Sequence, residues 1–183
     1  MKLHLMGASG SGVTTLGKAL AETLDIPYFD SDEYFWEKTT PPFISKRQPD
    51  VRNAMILSDV NNHKSWVLGG SLLKWNIEVD FDLIVFLYIP NEIRMARLKK
   101  REYARYGDVI SADEDRKRQY LEFMAWAAGY DDNSTQGRNL ASHESWLKTQ
   151  TCPVFELRGD LTVSERLNAV INKIAELNLK LIC

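Results

Sequence analysis

Short apolar runs alternate with longer amphipathic stretches along the whole chain. The run Lys2–Met6 predicts a buried strand, and four more runs predict strands: Pro27–Asp30, Trp66–Gly69, Leu83–Ile89 and Val154–Leu157. Between them, four longer stretches predict helices: Thr14–Leu24, Asp50–His63, Asn91–Arg105 and Ala112–Ala127. Strands that alternate with helices predict a mostly parallel sheet with helices on both faces.

Two helices have one-sided apolar patterns. The predicted buried side of the first helix comprises Leu16, Ala19, Leu20, Thr23 and Leu24. The sequence Thr162-x-x-Glu165 is a capping box that predicts the start of a last helix. Its predicted buried stripe comprises Val163, Leu167, Val170, Ile171, Ile174 and Leu177. No internal repeat or domain boundary is visible, so residues 1–183 are expected to form a single domain.

The composition is that of a soluble globular protein, with 44% hydrophobic and 26% charged residues. The formal net charge of −2 argues against a protein that coats nucleic acid. The two cysteines, Cys152 and Cys183, and the three scattered histidines have no metal-ligand spacing. No run approaches the roughly 20 residues of a membrane span, and Gly7 ends the apolar start of the chain. We therefore expect a cytoplasmic protein with no membrane partner.

Glycines cluster where the first strand meets the first helix. The segment Gly7-Ala8-Ser9-Gly10-Ser11-Gly12-Val13-Thr14-Thr15 matches the P-loop pattern G-x-x-x-x-G-K-[ST] except at the lysine. In such a loop, backbone N–H groups and the helix N-terminus bind phosphate, and Thr14 takes the position whose hydroxyl ligates Mg²⁺. The segment predicts a nucleotide phosphate site. The alternative is a strand-to-helix turn without a ligand.

Val13 stands where the pattern has its lysine. That lysine carries a positive charge to the β- and γ-phosphates. A pair of unit charges about 4 Å apart contributes roughly 4 kcal/mol at an effective dielectric constant of 20. Its loss predicts phosphoryl transfer about a thousandfold slower, unless another cation takes its place.

Basic residues concentrate between residues 91 and 118. Nine of the 23 lie there: Arg94, Arg97, Lys99, Lys100, Arg101, Arg105, Arg116, Lys117 and Arg118. At 100° per residue, Arg94, Arg97, Arg101 and Arg105 share one helix face within an arc of about 80°. Guanidinium groups on one face can hold the oxygens of a transferring phosphoryl group. The alternative is a basic face that only meets solvent.

Nearly the whole chain resembles the small P-loop kinases, because the loop, the strands, the arginine-rich helix and the last helix follow one another in the order found in that family. This family includes adenylate kinase, other nucleoside monophosphate kinases, shikimate kinase and gluconate kinase. The resemblance implies a three-layer α/β/α fold with a five-stranded parallel sheet in the order 2-3-1-4-5. It also implies transfer of the γ-phosphoryl group of ATP with Mg²⁺, and a mobile helical lid at about residues 100–140.

Two motifs at strand ends are similar to acceptor-binding motifs of that family. Asp30-Ser31-Asp32 is similar to the acidic pair of shikimate and gluconate kinases. We expect Asp32 to orient the acceptor and Asp30 to join the Mg²⁺ shell; helix capping by Asp30 is the alternative. Gly69-Gly70-Ser71 resembles the motif against which shikimate kinase rests its substrate, with a tight turn as the alternative. Adenylate kinases often have an acid there, so a plain adenylate kinase is disfavoured.

Further arginines are candidates by position. Arg47 and Arg52 flank the start of the acceptor-side helix and can bind an anionic acceptor group. The resemblance implies that Arg138 is a lid residue and that Arg158, just past the fifth strand, contacts adenine. Together with Arg97 and Arg101, Arg138 is expected to stabilise the migrating charge.

The sequence thus predicts an ATP- and Mg²⁺-dependent phosphotransferase that acts on a nucleoside monophosphate or a small hydroxylated metabolite. ATP is expected on Gly7, Ser9, Gly10, Ser11, Gly12, Val13, Thr14, Thr15 and Arg158, and the acceptor on Asp30, Asp32, Arg47, Arg52, Gly69 and Gly70. One alternative is a nucleotide-binding regulator with little turnover, because of Val13. The other is a nucleic-acid-associated ATPase that uses residues 94–118, although its net charge disfavours nucleic acid as a partner. A monomer and a dimer are both compatible with the sequence.

Overall fold

Five parallel strands form one sheet in the computed structural model, which describes residues 1–181. The strands are β1 (Lys2–Gly7), β2 (Tyr28–Asp30), β3 (Trp66–Gly69), β4 (Leu83–Tyr88) and β5 (Val154–Arg158). Their spatial order is β2-β3-β1-β4-β5, and every pairing is parallel. The predicted fold class and strand order are therefore confirmed.

Within residues 1–181 there are eight helices, seven between the strands and one after β5. They are α1 (Val13–Leu24), α2 (Ser31–Phe35), α3 (Pro49–Asn61), α4 (Asn91–Tyr106), α5 (Val109–Ala112), α6 (Glu114–Ala128), α7 (Leu140–Leu147) and α8 (Val163–Glu176). Helices α2, α5 and α7 were not predicted. They have five, four and eight residues, which is too short for a helical period to stand out.

Helices cover both faces of the sheet. On one face, α1 and α8 pack against Leu5 and Val85. On the other face, α7 packs against Ile84 and Phe86, and α3 packs beside Trp66. Because side chains of a strand alternate between faces, neighbouring residues of β4 enter different cores. This explains why β4, which is buried on both faces, is hydrophobic along its whole length.

Two residues predicted on buried helix faces are exposed. Val163 is 41% exposed because it is the first residue of α8 and lies at the edge of the sheet. Thr23 is exposed, and its hydroxyl donates to the Ala19 carbonyl oxygen at 2.8 Å. The predicted capping box is confirmed, since Thr162 and Glu165 exchange hydrogen bonds at the start of α8.

The carboxyl ends of the strands bring the predicted motifs to one edge of the sheet. Gly7 pairs with Leu87, and Asp30 pairs with Gly69, so the segments after β1, β2 and β3 begin side by side. In parallel α/β sheets ligands bind at this edge, where the strand order reverses. Here the reversal lies at β1, directly before the glycine-rich loop.

Candidate active site

A cleft of about 980 Å³ opens at this edge of the sheet. Its walls are the loop after β1, the start of α2, the Gly70–Ser71 turn, one face of α4 and the start of α8. The predicted residues that line it are Gly7, Ser9, Gly10, Gly12, Val13, Thr14, Thr15, Asp30, Asp32, Gly70, Arg97, Arg101 and Arg138. The fold thus brings together residues from distant parts of the chain.

The loop from Gly7 to Thr15 wraps around the start of α1. Gly10 and Gly12 have φ values of 83° and 90°, a left-handed conformation that favours glycine. Gly12 is the N-cap of α1, and no side chain caps the helix there. The first helical N–H groups therefore lie at the cleft, where an anion can accept from them. Ser11 does not line the cleft, and its side chain is fully buried.

Thr14 and Asp30 form a hydrogen-bonded pair on the floor of the cleft. The Thr14 hydroxyl donates to Asp30 Oδ2 at 2.9 Å, and the Tyr28 hydroxyl donates to the same oxygen at 3.0 Å. The other oxygen, Oδ1, accepts from the Asp32 backbone N–H at 3.0 Å and caps α2. One carboxylate oxygen of Asp30 therefore caps α2, which was the alternative role, and the other accepts from Thr14.

Asp32 lies among three guanidinium groups. Burial by the surrounding protein raises the pKa of its carboxyl group, and the nearby Asp30 carboxylate raises it further. Three positive charges lower the pKa of Asp32 in opposition, with Arg138 having the largest effect, followed by Arg101 and Arg105. Although Asp32 is exposed at the cleft, the balance leaves its pKa above the ordinary value for aspartate, which makes this carboxylate a better proton acceptor.

Three arginines of α4 line the cleft, and each is paired with a carboxylate. Arg97 Nη2 donates to Asp160 Oδ1 at 2.6 Å, an ion pair with both side chains at least 40% exposed. Arg101 and Arg105 share Glu102, at 2.9 and 3.3 Å. These three cations line the cleft, and the structure also supplies their counter-charges.

Arg94 differs from the other arginines of α4, with which it was expected to share a face. It is fully buried and forms an ion pair with Asp131. It also donates to the backbone oxygens of Ser9, Ile89 and Ala127. Arg94 therefore does not line the cleft with Arg97, Arg101 and Arg105, and it ties the glycine-rich loop to α4 and α6 instead.

A second compartment of about 740 Å³ shares Asp32, Arg101 and Arg138 with the cleft. Its walls are rich in aromatic rings: Phe35, Trp36, Phe43, Tyr106, Tyr120, Phe123 and Trp126. Cations stand over several of these rings, with Arg138 Cζ 5.2 Å from the centre of Trp126. We call this space the side compartment. It can accept a flat ring together with a negative charge.

Besides Ser11, four predicted site residues do not line the cleft. Arg47 donates to the Glu33 and Tyr34 backbone oxygens at 3.0 and 2.8 Å. Arg52 is buried, with its Cζ 4.4 Å from the centre of the Trp75 ring. Arg158 forms ion pairs with acidic neighbours at 2.8 and 3.5 Å, and Gly69 packs against the Tyr28 ring. Their roles in binding remain predictions, and the observed contacts hold the fold together.

Two groups at the cleft were missed by the sequence analysis. Arg166 of α8 lines the cleft and donates from Nη1 to the Ser11 carbonyl oxygen at 2.9 Å. The second group is a buried chain in which the Tyr130 hydroxyl meets His143 Nδ1 at 2.7 Å and His143 Nε2 meets the Ser71 hydroxyl at 3.2 Å. Burial lowers the His143 pKa to about 3, so its ring is neutral. Ser71 borders the cleft beside Gly70.

Residues 1–181 lack the features of a metal-binding side-chain cluster and of a membrane-spanning helix. No group of three or more His, Cys, Asp or Glu side chains could hold a metal ion by itself there. No helix in the same residues is long and apolar enough to cross a membrane. Cys152 is a half-buried free thiol, and Cys183 lies outside the described residues.

The sheet order, together with a glycine-rich loop between β1 and α1, defines a P-loop protein of the small-molecule kinase type. Residues 4–122 match the AAA domain family, and the chain belongs to this family of P-loop proteins. An uncharacterized protein of Bacillus subtilis, YqaC, is 37% identical over 172 residues, which cover 93% of this chain and 95% of that protein.

Two of the relatives are named as kinases. Shikimate kinase of Acinetobacter baumannii is 32% identical over 107 residues, covering 52% of this chain and 59% of that enzyme. Cytidylate kinase 2 of Borreliella afzelii is 30% identical over 149 residues, covering 66% and 76%. A solved deoxyadenosine kinase from M. mycoides with bound dATP matches with a TM-score of 0.58 at 15% identity, covering 96% and 100%. That last likeness shows the fold.

Proposed function

We propose that this protein transfers the γ-phosphoryl group of ATP to a small molecule bound in the cleft. The observation that carries the proposal is that one cleft contains the loop Gly7–Thr15, the carboxylate of Asp32 and the guanidinium groups of Arg97, Arg101 and Arg138. The loop presents N–H donors for a polyphosphate. The arginines supply positive charge where the phosphoryl group moves.

Thr14 and Asp30 fit Mg²⁺. Mg²⁺ prefers oxygen ligands and usually takes one or two from the protein, with substrate phosphates and water completing its shell. The Thr14 hydroxyl and the Asp30 carboxylate are 2.9 Å apart at the base of the loop, so both can turn toward one ion. When bound there, Mg²⁺ would neutralise charge on the β- and γ-phosphates.

In the proposed reaction, an oxygen of the acceptor forms a bond to the γ-phosphorus while the bond from that phosphorus to the bridging oxygen of ADP breaks. If the acceptor oxygen is a hydroxyl, its proton passes to Asp32, whose pKa is raised. If it is a phosphate oxygen, no proton moves, and Asp32 only positions the acceptor. Arg97, Arg101 and Arg138 stabilise the charge on the equatorial oxygens.

The side compartment favours an acceptor with a flat ring and an anionic group. Aromatic walls stack on a base, and Arg105, Arg116 and Arg138 pair with a phosphate. A nucleoside monophosphate has both features, whereas a shikimate-like alcohol has no aromatic ring. We therefore place nucleoside monophosphates ahead of small hydroxylated metabolites as acceptors.

We also propose that residues 1–183 form one kinase domain in which residues of about 100–140 act as a lid. The support is that α6 contributes Arg116, Tyr120, Phe123 and Trp126 to the wall of the side compartment. Movement of α6 would open this compartment to the acceptor, and its return would exclude water that hydrolyses ATP.

The test is a screen for acceptor-stimulated ADP release across nucleoside monophosphates, sugar acids and shikimate-like alcohols. Transfer of labelled γ-phosphate to an acceptor supports the proposal, and Asp32→Asn should then slow transfer to a hydroxyl acceptor about a hundredfold or more. The matched control is Asp80→Asn, an exposed aspartate outside the cleft. ATP binding with no acceptor-stimulated release would favour the regulator alternative.

The nucleic-acid alternative is disfavoured by the pairing of the basic stretch. Lys117 and Arg118 lie within 3.8 and 2.7 Å of acidic side chains on their own helix, and Arg101 and Arg105 share Glu102. Binding to DNA or RNA at low salt that falls steeply with added salt would revive this alternative.

A further inference from the structure

Arg166 reaches the glycine-rich loop from the opposite end of the chain. Its side chain leaves the first turn of α8 and is only 4% exposed. Nη1 donates to the Ser11 carbonyl oxygen at 2.9 Å, and a Cβ atom on Gly12 would lie 3.0 Å from it. The guanidinium group is therefore in direct contact with the loop backbone, beside the position that lacks its lysine.

This guanidinium lacks the counter-charge that the cleft-facing arginines of α4 have. Within residues 1–181 no carboxylate forms an ion pair with Arg166, and its Nη2 is buried without a hydrogen-bond partner. Burial and the neighbouring Arg97 both lower the Arg166 pKa, and Asp160 acts in the opposite direction. A buried cation that repels its neighbour is unfavourable by itself and is stabilised by an anion placed beside both.

The surroundings of Val13 suit an apolar side chain at the lysine position, with the positive charge supplied by Arg166. Its side chain is partly buried and packs against the core between α1, α8 and the sheet. Residue 13 therefore contributes apolar area to the side of the loop from which Arg166 enters. The loop keeps its phosphate-binding backbone while the cation comes from a different helix.

We propose that Arg166 is the cation that serves the polyphosphate of a nucleoside triphosphate bound in the loop, in place of the lysine that Val13 replaces. The inference rests on the proposed function for the identity of the ligand. It adds a residue that acts on the phosphates of that ligand rather than on its base, its ribose or the acceptor. A guanidinium group suits this task because it can donate to the loop and to a phosphate oxygen at the same time.

The first experiment compares ligands that differ in phosphate number. MgATP and adenosine are titrated by calorimetry into wild type, Arg166→Met and the control Arg118→Met, which removes an exposed arginine of α6. We expect the Kd of MgATP to rise about a hundredfold in Arg166→Met, while the Kd of adenosine changes less than threefold. Arg118→Met should match wild type for both. An equal loss for MgATP and adenosine would mean that Arg166 only braces the loop, and would overturn the proposal.

The second experiment asks whether a lysine at position 13 substitutes for Arg166. Val13→Lys in the Arg166→Met background should return the Kd of MgATP to within about tenfold of wild type. In the wild-type background the same change should bring less than a tenfold gain. Failure of this rescue in a folded double variant overturns the proposal. If Arg166→Met does not fold, Arg166→Lys keeps a cation and is measured instead, with a smaller loss of MgATP affinity expected and no loss for adenosine.

These binding measurements separate this inference from the proposed function. A wild type that binds MgATP but transfers phosphate to no acceptor contradicts the proposed function, and the MgATP affinities still decide the role of Arg166. A wild type that does not bind MgATP overturns both.

Discussion

Replacing Arg94 tests how the glycine-rich loop is held. In Arg94→Met the buried ion pair with Asp131 is lost, together with the hydrogen bond to the Ser9 carbonyl oxygen. Removing one partner of a buried ion pair costs about 3–5 kcal/mol, because the other charge stays behind without compensation. The matched control Arg118→Met breaks an exposed pair with Asp115 and should cost about 0–1 kcal/mol.

The free energy of unfolding of both variants is measured by urea denaturation. The midpoint of the transition reports stability, and the slope of the free energy against urea concentration reports any change in the unfolded state. If Arg94→Met is too unstable to purify, the double variant Arg94→Met/Asp131→Leu provides the measurement. It removes both charges, so it should be more stable than Arg94→Met alone. A loss in Arg94→Met no larger than that of Arg118→Met would refute the idea that Arg94 ties the loop to α4 and α6.

Three further predictions concern the cleft and the buried histidines. Arg97→Ala and Arg101→Ala should each lower kcat by tenfold or more and raise the Kd of ATP by less than threefold; unchanged kcat in both variants would refute their catalytic role. Thr14→Val should raise the Mg²⁺ concentration for half-maximal transfer about tenfold, and an unchanged Mg²⁺ dependence would remove Thr14 from the metal shell. Burial lowers the pKa of His143 to about 3, so the unfolded chain binds a proton near pH 6.5 that the native protein does not bind. As the pH drops from about 6 to 4, this group should therefore lower the free energy of unfolding by about 1.4 kcal/mol per pH unit. The variant His143→Gln should lack this part of the pH dependence. An equal pH dependence in both proteins would contradict a neutral His143 ring.

The fold followed from patterns that are local and long enough to read. The central strand β4 is apolar at every position because the sheet has helices on both faces, and such a run stands out in any sequence. Helix α2 was missed because its five residues contain barely one helical turn. Its start was visible only as the capping aspartate Asp30.

The candidate site was predictable where one contiguous segment builds it. The loop from Gly7 to Thr15 is such a segment, since its backbone conformation and its position before α1 depend on neighbouring residues. Arg47 and Arg158 were not separable from cleft residues by sequence, because the partners of Arg47 lie 10 or more residues away and Arg158 also pairs with Glu144 of another element, α7. A charged residue in a sequence indicates that it needs a partner, but the sequence does not show where in the fold that partner lies.

One sequence signal for Arg166 was available. It lies four residues before Val170 and eight before Ile174, which places it on the buried stripe of α8. A single charged residue on an otherwise apolar stripe needs a buried partner. That the partner is the phosphate-binding loop depends on the packing of α8 against α1, which the strand order determines and the helix sequence does not.

The arginines around the cleft divide by how firmly their present partners hold them. Arg94 is fully buried and the Asp131 side chain is 19% exposed, so separating them would leave the guanidinium charge out of water without its partner, and this pair stays closed. Arg97 and Asp160 are both at least 40% exposed, so water can replace either partner at little cost in free energy. In the proposed reaction, the negative charge on the equatorial oxygens of the transferring phosphoryl group can draw Arg97 away from Asp160 as the bond to ADP breaks. In the proposed reaction, Arg94 would thus fix the loop while Arg97 moves onto the transferring phosphoryl group, so α4 would serve both structure and chemistry with the same residue type.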